Sequence, residues 1–333
     1  MARLDARARA FINRFQGGFP VVDRPFSSVA AEIGIGETAL IRLVSRLVRT
    51  GCLSRFGPLY DATAMGGEVV LAAMAVPAER FDAVAALLDT LPEVAHNYER
   101  DHHFNMWFVV AAETRDGVRQ ALDRIGHETG LEVLAFPKER EFRLGLWLRL
   151  DENGAVDAVP VPEHLRPHPR PPAYRPDDTD RRLIAATQAG LPLLPRPWQD
   201  LAHRLDLDEA EVMTRFLRLM RSGIIRRIGA VPNHYRLGLR GNAMTVWDVP
   251  EERIEAAAAC LSASPWVSHC YLRPRHGERW PYNLFAMVHG RDRQSAAERA
   301  HRLARQPTLE GLAHAVLFST RLLKKTGLRR AAA

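Results

Sequence analysis

The sequence lacks the features that direct a protein into a membrane or stabilise it in an oxidising compartment. Its longest apolar stretch, 69–78, is far shorter than the run of about 20 residues that a membrane-spanning helix needs. The amino-terminal residues are basic, without the apolar core of a secretory signal peptide. Cys52, Cys260 and Cys270 form no CxxC pair, which argues against a disulfide framework, a zinc ribbon and an iron–sulfur cluster. We therefore expect a cytoplasmic protein that does not enter the membrane.

Lysine is scarce as well. Only Lys138, Lys324 and Lys325 are lysines among the 46 basic residues, and the formal net charge is +7. A basic chain favours polyanionic partners: nucleic acid, or a ligand with several carboxylates or phosphates. Because codon bias also produces an excess of arginine, the charge alone does not choose between these partners.

Familiar catalytic motifs are missing too. The sequence contains no GxxxxGK[ST] phosphate loop, no HExxH zinc motif and no GxSxG nucleophile elbow. His102 and His103 are adjacent, and neighbouring side chains of a strand point to opposite faces. They cannot bind one ion together on a regular strand, and we expect no metal site.

What the sequence does contain is an internal duplication. The run RLVRTG at 46–51 matches RLMRSG at 218–223 at an offset of 172. The segment 96–100 matches 269–273 at an offset of 173, and the offset then grows by five inside one loop of the second copy. Because order and spacing are kept throughout, the chain is interpreted as two diverged copies of one unit.

Each copy changes its pattern once along its length. Its first part has the apolar spacing of three short helices followed by a wing strand, and Gly51 and Gly223 stand where a third helix would end. Its second part alternates as βαββαβ, the ferredoxin-like plan. The predicted fold class is therefore α+β, with two tandem copies of a winged helix-turn-helix and a ferredoxin-like domain.

The copies meet at a proline-rich segment, 151–178, which is predicted to be an extended linker. The predicted domains are a winged helix at 1–66, a βαββαβ domain at 67–150, the linker at 151–178, a second winged helix at 179–240 and a second βαββαβ domain at 241–330.

Polar side chains recur at alternating positions of one strand in both copies. They are His96, Tyr98, Arg100 and His102 in the first copy, and His269, Tyr271, Arg273 and Arg275 in the second. Alternating positions share one face of a strand, and we predict that this is the open face of each sheet. Two such faces can pack toward each other and enclose a cationic cavity for a ligand with several carboxylates. A single His or Tyr on a strand is more often structural; the recurrence in two diverged copies favours a ligand site.

Four residues close to these stripes are further candidates for ligand contacts: Asn105, Trp107, Tyr282 and Asn283. For Trp107 the alternative is core packing.

The order of winged helix and βαββαβ domain, with RLVRTG leading into a wing, resembles the Lrp/AsnC family over both copies. The strings HNYERDHHFNMWF at 96–108, HCYLR at 269–273 and YNLF at 282–285 are similar to those of siroheme decarboxylases of heme d1 biosynthesis. Those proteins act as pairs of related subunits, and this chain resembles the form in which both are fused.

The resemblance implies a reaction in which siroheme loses two acetate carboxyl groups as CO2 and gives 12,18-didecarboxysiroheme. The iron tetrapyrrole is then bound as substrate, and no added organic cofactor is expected. The second copy departs from the first by carrying Arg275 where the first has His102, and by the insertion.

This interpretation gives the candidate residues roles. His96, His102 and His269 are predicted to serve the proton step, because imidazole titrates near neutral pH; an imidazole could instead ligate the iron. The remaining candidates are predicted to hold the substrate, with the arginines orienting its unreacted carboxylates: Tyr98, Arg100, Asn105, Trp107, Tyr271, Arg273, Arg275, Tyr282 and Asn283.

The expected partners are siroheme and its product, with the two halves forming a pseudo-dimer that can associate further or pair with sister decarboxylase subunits. The alternative is a DNA-binding regulator, whose third helices at 37–50 and 208–222 would enter the major groove. Acidic residues at the start of the second of these helices oppose phosphate, so DNA is not the expected partner. A tetrapyrrole- or effector-binding module without catalysis is a third interpretation.

Overall fold

The computed structural model describes residues 4–165 and 174–325, and it confirms the α+β class and the two tandem copies. The first copy consists of α1 (Ala6–Arg14), α2 (Pro25–Ile33), α3 (Glu37–Arg49), β1 (Leu53–Tyr60), β2 (Glu68–Met74), α4 (Phe81–Thr90), β3 (Val94–Arg100), β4 (Met106–Ala112), α5 (Arg115–Thr129), β5 (Leu134–Pro137) and β6 (Arg140–Leu144). A hairpin follows, formed by β7 (Trp147–Leu150) and β8 (Val156–Val159).

The second copy repeats this order. It consists of α6 (Asp178–Thr187), α7 (Pro197–Leu205), α8 (Glu209–Arg221), β9 (Ile225–Pro232), α9 (His234–Leu237), β10 (Gly241–Trp247), α10 (Ile254–Ala263), β11 (Val267–Leu272), β12 (Leu284–Gly290), α11 (Arg293–Ala304) and β13 (His314–Lys325).

Local sequence signals set the ends of the first helices. Asp5 caps α1 by accepting a hydrogen bond from the Ala8 amide at 2.7 Å. Pro25 occupies the first turn of α2, where its missing N–H is not needed. Gly51 and Gly223 follow α3 and α8 with φ angles of 72° and 73°, so both glycines end their helices as predicted.

The two wings pair with each other. β1 and β9 form an antiparallel ribbon in which Gly57 lies opposite Gly229, and the helices of both winged units share one apolar core. A Cβ atom on Gly57 would lie 2.6 Å from the Leu191 amide nitrogen, so only glycine fits this close approach. The duplication therefore folds as a pseudo-dimer at the level of its winged helices.

The ferredoxin-like domains also join. Among the described residues their strands form one nine-stranded sheet in the order β5-β2-β4-β3-β13-β10-β12-β11-β6. The βαββαβ plan predicts one last strand in the first copy, but the structure has two, because the chain leaves its own sheet after Pro137 and pairs as β6 with β11 of the other copy. β13 does the same without a break, pairing with β10 and then with β3.

The sheet curls until its two edges meet. β5 and β6 lie at opposite ends of the strand order, yet only residues 138 and 139 separate them in the chain. At 3.8 Å between consecutive Cα atoms, the ends of these strands are at most about 11 Å apart. The open faces of the two halves therefore face each other, as predicted.

Apolar side chains fill much of the space between these faces. Trp107, Phe136, Trp280 and Phe285 pack together there, each exposed by 3% or less. Separate apolar clusters lie under the helices on the outer side of each half. The space in which the polar stripes predicted an enclosed cationic cavity is thus largely occupied by a shared apolar core, and the cavity remains a prediction.

The predicted linker 151–178 is partly regular structure. It contains β8 and a short 3-10 turn at 163–165, residues 166–173 lie outside the described part, and α6 begins at its last residue. The domain boundaries proposed from the sequence remain predictions.

Candidate active site

The polar stripe of the first copy lies along β3. His96, Tyr98 and Arg100 share one face of the strand, and His96 Nδ1 lies 3.3 Å from the Tyr98 hydroxyl. His96 and Tyr98 are half-buried, whereas Arg100 is buried. The strand therefore presents an imidazole, a phenol and a guanidinium side by side, as the alternation predicted.

Arg100 is a buried cation with no carboxylate partner among residues 4–165 and 174–325. Its Nη1 donates to the carbonyl oxygen of Leu317 at 2.9 Å, and its Nε has no hydrogen-bond partner among the described residues. Its guanidinium carbon lies 5.8 Å from the ring centroid of Tyr98. Burial lowers its pKa to about 10, so the side chain remains charged at neutral pH. A buried guanidinium in this state is suited to an anion that arrives from outside.

Arg273 repeats this arrangement in the second copy. It donates to the carbonyl of Phe136, its Nε also lacks a partner in the described chain, and burial lowers its pKa to about 10. Its guanidinium carbon lies 5.1 Å from the ring centroid of Tyr271. Phe136 pairs with β2 at the position where Leu317 pairs with β10. Each arginine thus reaches the equivalent carbonyl of the other copy.

Cationic side chains from several strands surround His269. Burial lowers its pKa to about 4, and Arg226, Arg273, Arg143 and Lys138 act in the same direction. The imidazole is therefore neutral at neutral pH. A neutral ring can accept a proton or coordinate a metal, but it is a poor source of a proton.

The tyrosines of both stripes stay protonated. Burial raises the pKa of Tyr98 to about 12 and raises that of Tyr271 as well. Both hydroxyls can therefore donate hydrogen bonds, and the predicted contact with a carboxylate remains a prediction.

The fourth member of each stripe lies off the strand, contrary to the prediction of one shared face. β3 ends at Arg100, and His102 lies in the following turn, where its Nδ1 accepts from the Phe104 amide at 3.0 Å. Burial lowers the pKa of His102. Arg275 lies beyond β11 and donates to Asp248 at 2.6 Å. It is 41% exposed in its side chain, and this ion pair holds the inserted loop.

Asn105 and Asn283 are committed to the backbone. Asn105 accepts from the Val76 amide at 2.9 Å and donates to the Val76 carbonyl at 2.8 Å. Asn283 makes the same pair with Val249, both at 2.9 Å. Because both ends of each amide are used, these side chains fix the ends of β2 and β10, and the predicted contact with a ligand would require breaking these bonds.

Trp107 belongs to the shared core, the alternative noted above. It is fully buried, and its Nε1 donates to the Phe104 carbonyl at 2.7 Å. Trp280 packs 5.1 Å away, and the half-buried Tyr282 lies 5.2 Å from Trp280. Sequence reasoning missed Trp280, although the inserted loop that carries it was the signal that could have found it.

Sequence reasoning also missed Tyr235. This residue of α9 lies close to Arg100, and burial raises its pKa. It lines a cleft of about 720 Å³ between the first winged helix and the second copy. Three exposed arginines line the same cleft, and none forms an ion pair within the described chain: Arg236, Arg240 and Arg291. The cleft thus collects cationic groups beside Tyr235.

Two protein families match the chain, each of them twice. The AsnC-like ligand binding domain matches residues 64–143 and 236–324, and the siroheme decarboxylase NirDL-like HTH domain matches 8–53 and 180–226. These matches follow the division into winged helices and ferredoxin-like domains.

Characterised relatives match over nearly the whole chain. The siroheme decarboxylase NirDL subunit of Paracoccus denitrificans is 36% identical, over 98% of this chain and 97% of its own length. The siroheme decarboxylase of Hydrogenobacter thermophilus is 34% identical, over 94% and 92%. The NirH subunit of Pseudomonas aeruginosa is 52% identical over 45% of this chain and 88% of its own length.

A solved structure agrees with this picture. The siroheme decarboxylase NirDL in complex with an iron-uroporphyrin III analogue superposes with a TM-score of 0.70 and 29% identity, covering 97% of this chain and 93% of that one. The resemblance seen in the polar stripes is confirmed, and the chain belongs to the siroheme decarboxylase family.

Proposed function

We propose that this chain removes two acetate carboxyl groups of siroheme as CO2 and releases 12,18-didecarboxysiroheme, a step of heme d1 biosynthesis. The observation that carries the proposal is the pair of buried arginines, Arg100 and Arg273, which have no carboxylate partner among the described residues. The guanidinium of each lies close to the ring of a tyrosine of its own copy. A substrate with many carboxylates supplies the anions that these cations lack.

The chemistry needs no oxidant. In each step the bond between the acetate methylene and its carboxyl carbon breaks, CO2 leaves, and a proton takes its place to give a methyl group. The electron pair left behind can be held by a protonated pyrrole ring of the macrocycle until the proton arrives. For this reason we propose that the enzyme works without an added organic cofactor, with the iron tetrapyrrole present as substrate.

The two histidines on the strands are given different tasks. His96 is proposed to bring the proton, because it lies within reach of a tyrosine hydroxyl on the same face of β3. His269 is neutral at neutral pH, so it is proposed to offer a lone pair to the tetrapyrrole. His102 remains a candidate for the proton step only if the turn that carries it rearranges.

The arginines are proposed to hold carboxylates that do not react. A guanidinium that gripped the departing carboxylate would stabilise the ground state, because the negative charge leaves that group in the transition state. A guanidinium that holds the neighbouring, unreacted carboxylates orients the macrocycle without stabilising the ground state of the reacting group. Tyr98 and Tyr271 donate further hydrogen bonds to these groups.

A transcriptional regulator is not favoured. The wings that would contact DNA are paired as β1 and β9. On the second recognition helix, Arg215 is held in ion pairs with Asp177, Asp180 and Glu211 at 2.8 to 2.9 Å. A guanidinium tied in this way contributes little to phosphate binding.

The proposed partners are siroheme, its product and, beyond the internal pseudo-dimer, further copies of the chain or sister subunits. No helix within 4–165 and 174–325 is long and apolar enough to cross a membrane. Cys52, Cys260 and Cys270 are free thiols, and we propose a cytoplasmic location on that basis.

Anaerobic titration of the protein with siroheme, followed by mass spectrometry of the tetrapyrrole, tests the proposal. A change in the Soret band and the loss of two CO2 units are expected. Binding without any mass change would leave only a tetrapyrrole-binding module. Absence of a Soret change together with salt-dependent binding to duplex DNA would support the regulator instead.

A further inference from the structure

A line of hydrogen bonds connects the interior of the second copy to His269. Asn242 Oδ1 lies 2.6 Å from His289 Nδ1, His289 Nε2 lies 2.6 Å from Ser268 Oγ, and Ser268 Oγ lies 2.6 Å from His269 Nδ1. Asn242, His289 and Ser268 are each at most 4% exposed. Polar side chains this deeply buried are stable only when they are hydrogen-bonded.

Each hydrogen bond in this line has its donor on the side of His269, in an order that the Asn242 amide sets. The Nδ2 atom of Asn242 donates to the carbonyls of Leu239 and Arg240 at 3.5 and 3.3 Å, so its Oδ1 faces His289. An amide oxygen only accepts, and Nδ1 of His289 must therefore carry the proton. In a neutral His289, Nε2 then accepts from the Ser268 hydroxyl.

The donor and acceptor roles at Ser268 also determine which nitrogen of His269 carries the proton. Because the Ser268 hydroxyl hydrogen is used toward His289, its oxygen accepts from Nδ1 of His269. The neutral ring of His269 then carries its proton on Nδ1 and a lone pair on Nε2. No other hydrogen bond of the His269 ring is found within the described chain, so this line alone sets its tautomer.

The first copy has no counterpart. Val69 and Ala111 pair on β2 and β4 at the register where Asn242 and His289 pair on β10 and β12. The ladder shifts at Ala95 in the first copy as it does at Ser268 in the second. All three polar residues are thus replaced by apolar ones, and His96 is approached by the Tyr98 hydroxyl instead.

We propose that Asn242, His289 and Ser268 are positioning residues that hold His269 with a lone pair on Nε2 toward the tetrapyrrole, and that this makes the two half-sites chemically unequal. The inference rests on the proposed function for its catalytic meaning. Histidines that offer a lone pair at an active site or a metal are commonly oriented by a hydrogen bond at the other ring nitrogen, and loss of that bond lowers activity about 10- to 100-fold.

The test compares Ser268→Ala with Ser268→Thr, which keeps the hydroxyl. Turnover of siroheme is expected to fall about 10- to 100-fold in Ser268→Ala, with KM little changed, and to stay close to that of the parent in Ser268→Thr. Ala95→Ser, at the equivalent site of the first copy, is the matched control and is expected to leave turnover unchanged.

Nitrogen-15 NMR of histidine-labelled protein reads the tautomer directly, without substrate. In the parent protein His269 is expected to be protonated on Nδ1, and in Ser268→Ala this preference is expected to be lost while the fold is kept. An Nε2-protonated ring in the parent, or an undiminished rate in Ser268→Ala, would overturn the inference. Because the NMR result does not depend on turnover, a failure of the proposed function and a failure of this inference are told apart.

Discussion

The Nη1 atom of Arg100 lies 2.9 Å from the carbonyl oxygen of Leu317, so a buried cation of the first copy is held by the backbone of the second. Arg273 makes the reciprocal contact with Phe136. The backbone of β13 thus completes the polar stripe of the first copy, and the backbone of β5 completes that of the second. This relationship gives a structural reason for keeping two diverged copies in one chain.

Replacing Arg100 tests its role as an anion anchor. In Arg100→Met the dissociation constant for siroheme is expected to rise about 10- to 100-fold, equivalent to about 1.4 to 2.8 kcal/mol, because a charge-assisted hydrogen bond to a carboxylate is lost. Titration of the Soret band measures it. Arg275→Met is the control, since its guanidinium is paired with Asp248, and equal weakening in both variants would contradict the assignment.

The lowered pKa of His269 predicts a stability that depends on pH. The unfolded chain protonates this residue near pH 6.5, whereas the folded chain does so only near pH 4. Between these values the unfolded state binds more protons, so the free energy of unfolding is expected to fall by up to about 3 kcal/mol as the pH drops from 6.5 to 4. Urea unfolding at several pH values measures this loss.

His269→Gln provides the comparison for that experiment. Glutamine does not titrate in this range, so the variant is expected to lose less stability than the parent over the same pH interval. Parallel curves for the two proteins would show that His269 is not the group responsible.

Trp280 should stabilise the contact between the two halves of the sheet. It is fully buried against Trp107 and Phe136, so Trp280→Ala is expected to cost about 3 to 5 kcal/mol by leaving a cavity. Trp280→Phe should cost clearly less, because the Trp280 Nε1 atom has no hydrogen-bond partner in the described chain. Calorimetric melting compares the two, and equal losses would contradict the claim that the ring stabilises the sheet by filling this space.

The ribbon formed by the two wings depends on Gly57. Its φ of 147° and the close Leu191 amide leave no room for a Cβ atom. Gly57→Ala is expected to destabilise the winged helices by more than Gly34→Ala. At Gly34 φ is also positive, but nothing lies within 4 Å of an added Cβ, and only about 1 to 2 kcal/mol is expected. Melting temperatures of the two variants give the comparison.

Local patterns and the repeat predicted the ends of helices, the faces of strands and the duplication. Gly51 and Gly223 ended their helices as expected, and the alternation at His96, Tyr98 and Arg100 placed three groups on one face. The prediction that His102 and Arg275 share this face was wrong, because β3 and β11 end before these residues. A period of two says which face a residue takes but not where the strand stops.

The sequence did not predict which strands pair when they lie far apart in the chain. The exchange of last strands between copies depends on contacts between β6 and β11 and between β13 and β3, and no local signal marks it. The bond from Ser268 to His289 joins neighbouring strands at an irregular position of the ladder. The inserted Trp280 fills a space that only the closed sheet creates.

His96 and His269, one in each copy and unequal in their surroundings, are proposed to serve the removal of both carboxyl groups of siroheme. Single-turnover reactions of siroheme with the parent, His96→Ala and His269→Ala, analysed by mass spectrometry, test it most directly. The parent is expected to release both CO2 units, and each variant is expected to stop short of that product or to reach it far more slowly. Complete conversion at the parent's rate by both variants would contradict the claim.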